Sequence, residues 1–223
     1  TFPNVKAAEE ASYEEYKANL RRTAENFRIT DDHLGEGGPK AKFQANVEAI
    51  KLLKYLEETT EQATPEQQKI LSRYVGWGGL ADAFDPDKES WSKEYAQLKE
   101  LLTPEEYAAA RGSTLNAHYT SPTVIKAIYE AVGRMGFETG NILEPSCGVG
   151  NFFGMLPEEM RNSRLYGVEL DSISGRIAQQ LYPKADITVA GFETTDRRDF
   201  YDLAVGNVPF GQYQVRDKAY DKL

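Results

Sequence analysis

A short apolar run that ends in an acid, a proline and a glycine turn constrains this chain more than any other segment. Residues 141–153 read NILEPSCGVGNFF. An apolar run that leads directly into a glycine turn is typical of a buried parallel strand whose carboxyl end meets a backbone-lined pocket. Gly148 and Gly150 supply that turn. The segment therefore predicts an open parallel sheet with a ligand at its carboxyl edge.

Strand and helix patterns alternate through the second half of the chain. We predict strands at 141–144, 164–169, 186–190 and 201–206, and helices at 151–156 and 172–181. Such alternation is typical of βαβ units with parallel strands. The predicted fold class is therefore α/β, with a Rossmann-like sheet in residues 115–223.

Helical patterns dominate residues 1–114. Val47, Ile50, Leu53 and Leu56 form one apolar stripe at helical spacing. Two further helix starts combine a threonine N-cap, a proline at the first helical position and a capping-box residue: Thr64-Pro65 with Gln67, and Thr103-Pro104 with Glu106. Ser121-Pro122, in the second half of the chain, is a third start with an N-cap residue and a proline. The helix after Thr64 is predicted to end at Gly76, and the glycine-rich stretch 34–40 is predicted to be a loop. Trp77, which has glycines on both sides, is interpreted as a core residue.

Composition and charge exclude several classes of protein. A hydrophobic content of 40% fits a globular chain. No apolar run approaches the roughly 18 residues needed to cross a bilayer, so no membrane partner is predicted. The single cysteine, Cys147, rules out an internal disulfide and fits the cytoplasm. Because His33 and His118 are the only histidines, no zinc site is predicted.

The net charge of −9, from 26 basic and 35 acidic side chains, bears on nucleic-acid binding. A self-sufficient duplex-DNA binder needs a basic surface to neutralise phosphates. If DNA is the substrate, most of the phosphate contacts are therefore expected from other domains.

Two acidic residues stand where a nucleoside cofactor needs them. Glu144 ends the first predicted strand, where it could bond the cofactor's amino group. Glu169 ends the next strand, about 20 residues beyond the glycines, the spacing at which an acid binds ribose hydroxyls. Together with the glycine turn, these residues indicate an S-adenosylmethionine site.

A third motif follows the last predicted strand and suggests an amine acceptor. The Asn207 side-chain carbonyl and the Val208 main-chain carbonyl could accept the two N–H bonds of an exocyclic amine. Pro209 would stiffen the loop, and Phe210 would stack on an extrahelical base. An isolated N-x-P-F is usually an ordinary turn, but its place after two cofactor motifs favours the functional interpretation.

The ordered motifs resemble those of a known family. EPSCGVGNF, GVELD and GNVPF resemble the motifs of the N6-adenine class of DNA amino-methyltransferases, which carry D-P-A-C-G-S-G and N-P-P-Y/F. Residues 116–122, NAHYTSP, are similar to the segment before the first strand of that family, often F-T-P. The resemblance implies an incomplete class I S-adenosylmethionine-dependent methyltransferase sheet. The implied cofactor-binding residues are Tyr119, Thr120, Glu144, Pro145, Ser146, Cys147, Gly148, Gly150, Asn151, Phe152, Glu169 and Phe192.

A wider resemblance covers the chain from about Phe27 onward. YVGWGGL at 74–80 and STLN at 113–116 are similar to the methylase-like region of large helicase–methylase proteins from bacterial conjugative elements and phages. This resemblance implies DNA and a downstream helicase domain of the same parent chain as partners. Because the chain starts without methionine and stops at Leu223, before the further strands of the fold, we expect an excised piece truncated at its C-terminus.

The function implied by these motifs is transfer of a methyl group from S-adenosylmethionine to the N6 amine of adenine in DNA. Two departures from the family pattern leave alternatives open. Val208 replaces the first proline of the acceptor motif. Residues 190–193 lack the aspartate that often holds the cofactor's adenine in the family, and Phe192 and Glu193 would contact that adenine instead. These departures favour a catalytically degenerate nucleic-acid-binding module attached to a helicase. A protein glutamine methyltransferase is a further alternative, because an N-P-P-Y motif also serves planar amides.

Overall fold

A parallel sheet forms the centre of the α/β part of the chain. The computed structural model describes residues 11–13, 15, 16, 18, 23–31, 33, 35–115 and 119–208. Four strands lie in the order β3-β2-β1-β4: β1 (Asn141–Glu144), β2 (Arg164–Glu169), β3 (Asp186–Val189) and β4 (Leu203–Ala204). All their pairings are parallel. The α/β, Rossmann-like class is confirmed.

The strand order places a topological switch point between β1 and β4. The chain passes from β1 outward through β2 to β3 and then returns to β4 on the other side of β1. In open α/β sheets, ligands bind outside the carboxyl ends of the strands at such a point. β4 is shorter than the predicted range 201–206, although bonds from the Asp202 and Val205 N–H groups to β1 carbonyls extend the pairing on both sides. β3 ends one residue before its predicted end.

Seven α-helices accompany the sheet in the described ranges between residues 39 and 181. They are α1 (Pro39–Thr59), α2 (Pro65–Leu71), α3 (Ser92–Leu101), α4 (Pro104–Ser113), α5 (Pro122–Arg134), α6 (Asn151–Gly154) and α7 (Ser172–Leu181). Both threonine N-caps form complete capping boxes. α7 has the predicted bounds, α6 ends two residues early, and α1 includes the last two residues of the predicted loop 34–40.

The prediction that the helix after Thr64 continues to Gly76 is wrong. α2 ends at Leu71, and tight turns follow it. The side chain of Asn46 on α1 accepts a bond from the Val75 N–H at 2.9 Å. A side chain that captures a backbone donor competes with the helical bond that this donor would otherwise make. Tertiary contact therefore holds 72–76 in a different conformation.

One apolar core crosses the predicted boundary near residue 115. Gln68 of α2 donates to the carbonyls of Gln180 and Leu181 at the end of α7. Trp77 is 1% exposed and packs edge-on against Phe84, which confirms its interpretation as a core residue. The helical region and the sheet therefore share one core in the described residues. None of the helices described there is long and apolar enough to cross a membrane.

A cluster of charged side chains, Lys54, Glu106 and Arg176, connects the N-terminal helices to α7. The carboxylate of Glu106, on α4, accepts bonds from Lys54, from the Thr103 N–H and from Arg176 of α7. Burial by itself would raise the pKa of Glu106, but these hydrogen bonds outweigh it, so the pKa lies below its ordinary value. The ionised form of Glu106 therefore stabilises the junction.

We expect Glu106→Gln to lower the free energy of unfolding by about 1–3 kcal/mol at pH 7, because a buried charged hydrogen-bond partner is lost. The folded pKa lies below the unfolded value of about 4.3, so this stabilisation is complete above that pH and disappears as the pH falls through the folded pKa. Urea unfolding at several pH values measures it. Glu105→Gln, an exposed neighbour on the same helix, is the control. Equal stability of Glu106→Gln and the wild type at pH 7 would contradict the expectation.

Candidate functional site

The glycine turn after β1 is bonded to the end of β2. The Cys147 N–H donates to the Val168 carbonyl at 2.9 Å, and the Gly150 N–H donates to the Cys147 carbonyl at 2.7 Å. Gly148 and Gly150 have φ angles of +55° and +79°, in the left-handed region that favours glycine. A Cβ on Gly150 would also lie 2.5 Å from the Cε2 atom of Tyr182. Both the backbone conformation and the packing therefore require glycine at position 150.

Glu169, at the end of β2, holds this turn with its carboxylate. One carboxylate oxygen accepts the Gly148 N–H and the other accepts the Asp171 N–H, each at 2.7 Å. Burial raises the pKa of Glu169, and the two backbone donors partly offset that effect. Each oxygen keeps a further lone pair. Glu169 can therefore hold the turn and still accept bonds from a ligand's hydroxyl groups.

Glu144, at the end of β1, is buried and has a carboxylate oxygen without a hydrogen-bond partner in the described residues. It is 3% exposed, and its Oε2 atom has no hydrogen-bond partner among the described residues. Burial raises the pKa of Glu144 well above its ordinary value, and the nearby charge of Glu169 adds to the increase. A buried polar atom without a partner is costly. A cationic or hydrogen-bonding ligand group is the kind of partner that this atom lacks.

Tyr119 covers the glycine turn from the side of the N-terminal region. Its Cε1 atom would lie 3.3 Å from a Cβ on Gly148, and its hydroxyl is 3.4 Å from the Ser174 hydroxyl. Tyr119, Thr120 and Asn151 line a cavity of about 420 Å³, which is within the usual size range of small-molecule sites. The structure therefore brings three of the predicted cofactor residues to one cavity beside the turn.

The loop after β4 carries the predicted acceptor residues. The Val205 N–H donates to the Leu143 carbonyl at 2.9 Å, so the loop leaves the sheet next to β1. A Cβ on Gly206 would lie 3.4 Å from the Cγ atom of Glu144. Asn207 and Val208 are exposed beyond that contact. Pro209 and Phe210, predicted for base stacking, lie outside the described residues, as does His118.

The remaining predicted residues differ in how they face the site. Pro145 and Ser146 are half-buried in the turn, and Cys147 is buried. The Phe152 ring packs edge-on against Tyr129 in the core, so a direct contact between this ring and a cofactor stays a prediction.

At the end of β3, Phe192 is 51% exposed. The Glu193 carboxylate folds back over its own loop: a Cβ on Gly191 would lie only 2.2 Å from its Oε1 atom. The two residues expected to contact the cofactor's adenine are therefore both exposed, and the Glu193 carboxylate lies against the Gly191 backbone.

Residues from the N-terminal region also border the site, and sequence reasoning did not assign them to it. Tyr74 and Val75 line the cavity with Tyr119. A Cβ on Gly76 would lie 2.8 Å from the Cε2 atom of Tyr119. The glycine-rich segment 74–80 was the available signal, since closely spaced glycines often mark a close approach of the backbone.

Comparisons with known proteins give two similar sequences. The chain is 29% identical over 180 residues to the Defense against restriction protein B of Escherichia phage P1, an alignment that spans 79% of this chain and 6% of that protein. It is 37% identical over 92 residues to the Type II methyltransferase M.CvrRI of Paramecium bursaria Chlorella virus XZ-6E, spanning 41% of this chain and 24% of that protein. The chain thus corresponds to a small part of each relative. No protein-family model matches it.

Among solved structures, one similar chain comes from Listeria monocytogenes and is assigned to the class I S-adenosylmethionine-dependent methyltransferases. The superposition has a TM-score of 0.33 and 16% sequence identity, and it covers 78% of this chain and 60% of that chain. A similarity at this level carries no weight for fold or function. The fold assignment rests on the sheet order and on the parallel pairing described above.

We expect Gly150→Ala to lower the free energy of unfolding by about 3 kcal/mol, because a left-handed alanine is strained and its Cβ also collides with Tyr182. Gly136→Ala is the control, since Gly136 has a φ of +88° with no atom near the added Cβ, and it should cost only about 1–2 kcal/mol. Urea denaturation measures both. Equal losses would show that the Tyr182 contact is unimportant.

Proposed function

We propose that this chain is the cofactor-binding part of an S-adenosylmethionine-dependent methyltransferase that methylates the N6 amine of adenine in DNA. One observation carries the proposal: at the β1–β4 switch point, the glycine turn held by Glu169 lies beside the loop that presents Asn207. A cofactor site and an acceptor site must adjoin in this way for group transfer. The methyltransferase among the relatives supports the same class of activity.

The donor groups of the turn and its neighbours fit the proposed cofactor. Glu169 retains lone pairs for the ribose hydroxyls, and the unpaired oxygen of buried Glu144 suits the cofactor's ammonium group. Thr120 and Asn151 offer polar groups to its methionine end through the adjoining cavity. When bound, S-adenosylmethionine supplies an electrophilic methyl group for in-line displacement.

The loop after β4 supplies the groups that would orient the acceptor. The exposed Asn207 side chain and the Val208 carbonyl accept the N–H bonds of an exocyclic amine in this proposal, which directs the nitrogen lone pair toward the methyl carbon. Because the chain carries a net charge of −9, the DNA phosphates are held mainly by other parts of the parent protein, including a helicase domain.

A second candidate is a non-catalytic nucleic-acid-binding module. It is favoured by the engagement of both Glu169 oxygens with the protein's own backbone and by the Tyr119 ring over Gly148. Val208 in place of a proline also relaxes the acceptor loop. This candidate predicts DNA binding that is independent of cofactor and of Asn207.

We expect Asn207→Ala to reduce methyl incorporation into adenine-containing DNA by about 100-fold, because a preorganised acceptor for the amine is lost. Cofactor affinity should not change. The assay is transfer of tritiated methyl groups, followed by nucleoside analysis of the product. Asn162→Ala is the matched control, since Asn162 is also exposed but precedes β2, at the amino ends of the strands.

Three outcomes of this assay would contradict the proposal. Full activity of Asn207→Ala would remove the assigned role of that residue. Labelled protein instead of labelled DNA would point to a glutamine acceptor. Cofactor binding without incorporation of methyl groups into any substrate would favour the non-catalytic module.

We expect binding of S-adenosylmethionine to release protons. The pKa of free Glu144 is raised by burial and by Glu169, and an ammonium group beside Glu144 would lower it. Protons are released at pH values between the pKa of Glu144 in the complex and its higher pKa in the free protein, so the affinity for S-adenosylmethionine rises with pH across that interval. Calorimetry in buffers of different ionisation enthalpy measures it. Glu144→Gln should abolish the release, and a wild-type enthalpy that is the same in all buffers would refute the expectation.

A further inference from the structure

The Tyr119 ring lies between two glycines that are far apart in the sequence. A Cβ on Gly76 would lie 2.8 Å from Cε2 of the ring, and a Cβ on Gly148 would lie 3.3 Å from Cε1. These two atoms are on opposite edges of the ring. The glycine turn of the sheet therefore contacts one edge of Tyr119, and the N-terminal region contacts the other.

The backbone on the N-terminal side of this contact is held in place. The buried side chain of Asn46, on α1, donates to the Gly76 carbonyl at 2.6 Å and accepts the Val75 N–H at 2.9 Å. Gly76 itself has a φ of +67°. The Asn46 side chain thus bonds the peptide group before Val75 and the peptide group after Gly76. These two bonds position Gly76 against the Tyr119 ring.

The position of Tyr119 matters for the site because the ring contacts the glycine turn and also lines the cavity. It lines the cavity together with Thr120 and Asn151, and it covers Gly148. A side chain at position 76 would push the ring toward Gly148, where there is little space. A displacement at the N-terminal region is thereby transmitted to the turn that Glu169 holds.

We infer that Gly76 and Asn46 are positioning residues of the cofactor cleft, which hold Tyr119 at the distance from the glycine turn that the cofactor requires. The inference rests on the proposed function. It assigns the N-terminal helical region a part in building the cleft, in addition to its packing against the sheet.

The test compares Gly76→Ala with Gly79→Ala in the 223-residue chain. Both glycines have a positive φ, +67° and +74°, but a Cβ on Gly79 meets no atom within 4 Å. Backbone strain should therefore lower the Tm of both variants by about 2–6 °C, and the contact with Tyr119 should lower the Tm of Gly76→Ala further. Only Gly76→Ala should weaken S-adenosylmethionine binding, by about tenfold or more, as measured by calorimetry.

A readout that needs no cofactor tests the contact directly. The chain has 13 tyrosines, and fluorine NMR of 3-fluorotyrosine-labelled protein resolves their environments, with Tyr119→Phe to assign the relevant signal. Gly76→Ala should shift the Tyr119 signal, whereas Gly79→Ala should leave it in place. In a Tyr119→Leu background the aromatic ring that a Cβ at position 76 would contact is absent. Gly76→Ala should then lower the Tm and the affinity for S-adenosylmethionine no more than Gly79→Ala does.

The outcomes separate the inference from the proposed function. If the wild-type chain does not bind S-adenosylmethionine, the proposed function fails and the inference fails with it. If the wild type binds and Gly76→Ala binds equally well, only the inference is overturned. If Gly76→Ala does not fold, the double variant with Tyr119→Leu is tested. Recovery of folding in the double variant supports the contact between position 76 and Tyr119, and continued loss of folding overturns the inference.

Discussion

The carboxylate of Glu169 is the interaction on which the arrangement of the site depends. It accepts one backbone N–H from the glycine turn after β1 and another from the start of the connection after β2. A charged acceptor with two backbone donors is among the stronger hydrogen-bonded arrangements in proteins. Gly148 has no side chain to hold it in place, so this bond and the neighbouring bond from Cys147 to Val168 determine where the turn lies.

The helical N-terminal region belongs to the same folded unit as the sheet in the described residues. Its core is continuous with that of the sheet, and Gln68, Glu106 and Arg176 make polar contacts across the junction. The wall of the cavity also comes from both regions, since Tyr74 and Thr120 line it together. Changes in the N-terminal helices are therefore able to alter the geometry near the glycine turn without contacting a ligand.

The two sides of the proposed reaction site differ in how firmly they are held. On the cofactor side, the pairing of β1 with β2 and the hydrogen bonds of Glu169 hold the glycine turn in place. The acceptor side follows a two-residue strand at the edge of the described sheet, and Asn207 and Val208 are exposed beyond it. An exposed acceptor loop fits a large substrate such as an extruded base, which brings its own surface to the contact.

Local sequence was sufficient for the strand pattern, both capping boxes and the glycine turn, because each depends on residues close together in the chain. It was also sufficient to mark Glu144 and Glu169 as site candidates, since strand ends and residue spacing are local features. It was not sufficient for the end of α2, where Asn46 captures a backbone donor 29 residues away. Nor could it show that Gly76 and Gly148 contact opposite edges of Tyr119, because only tertiary packing of α1, the 72–76 segment and the sheet decides which distant residues meet.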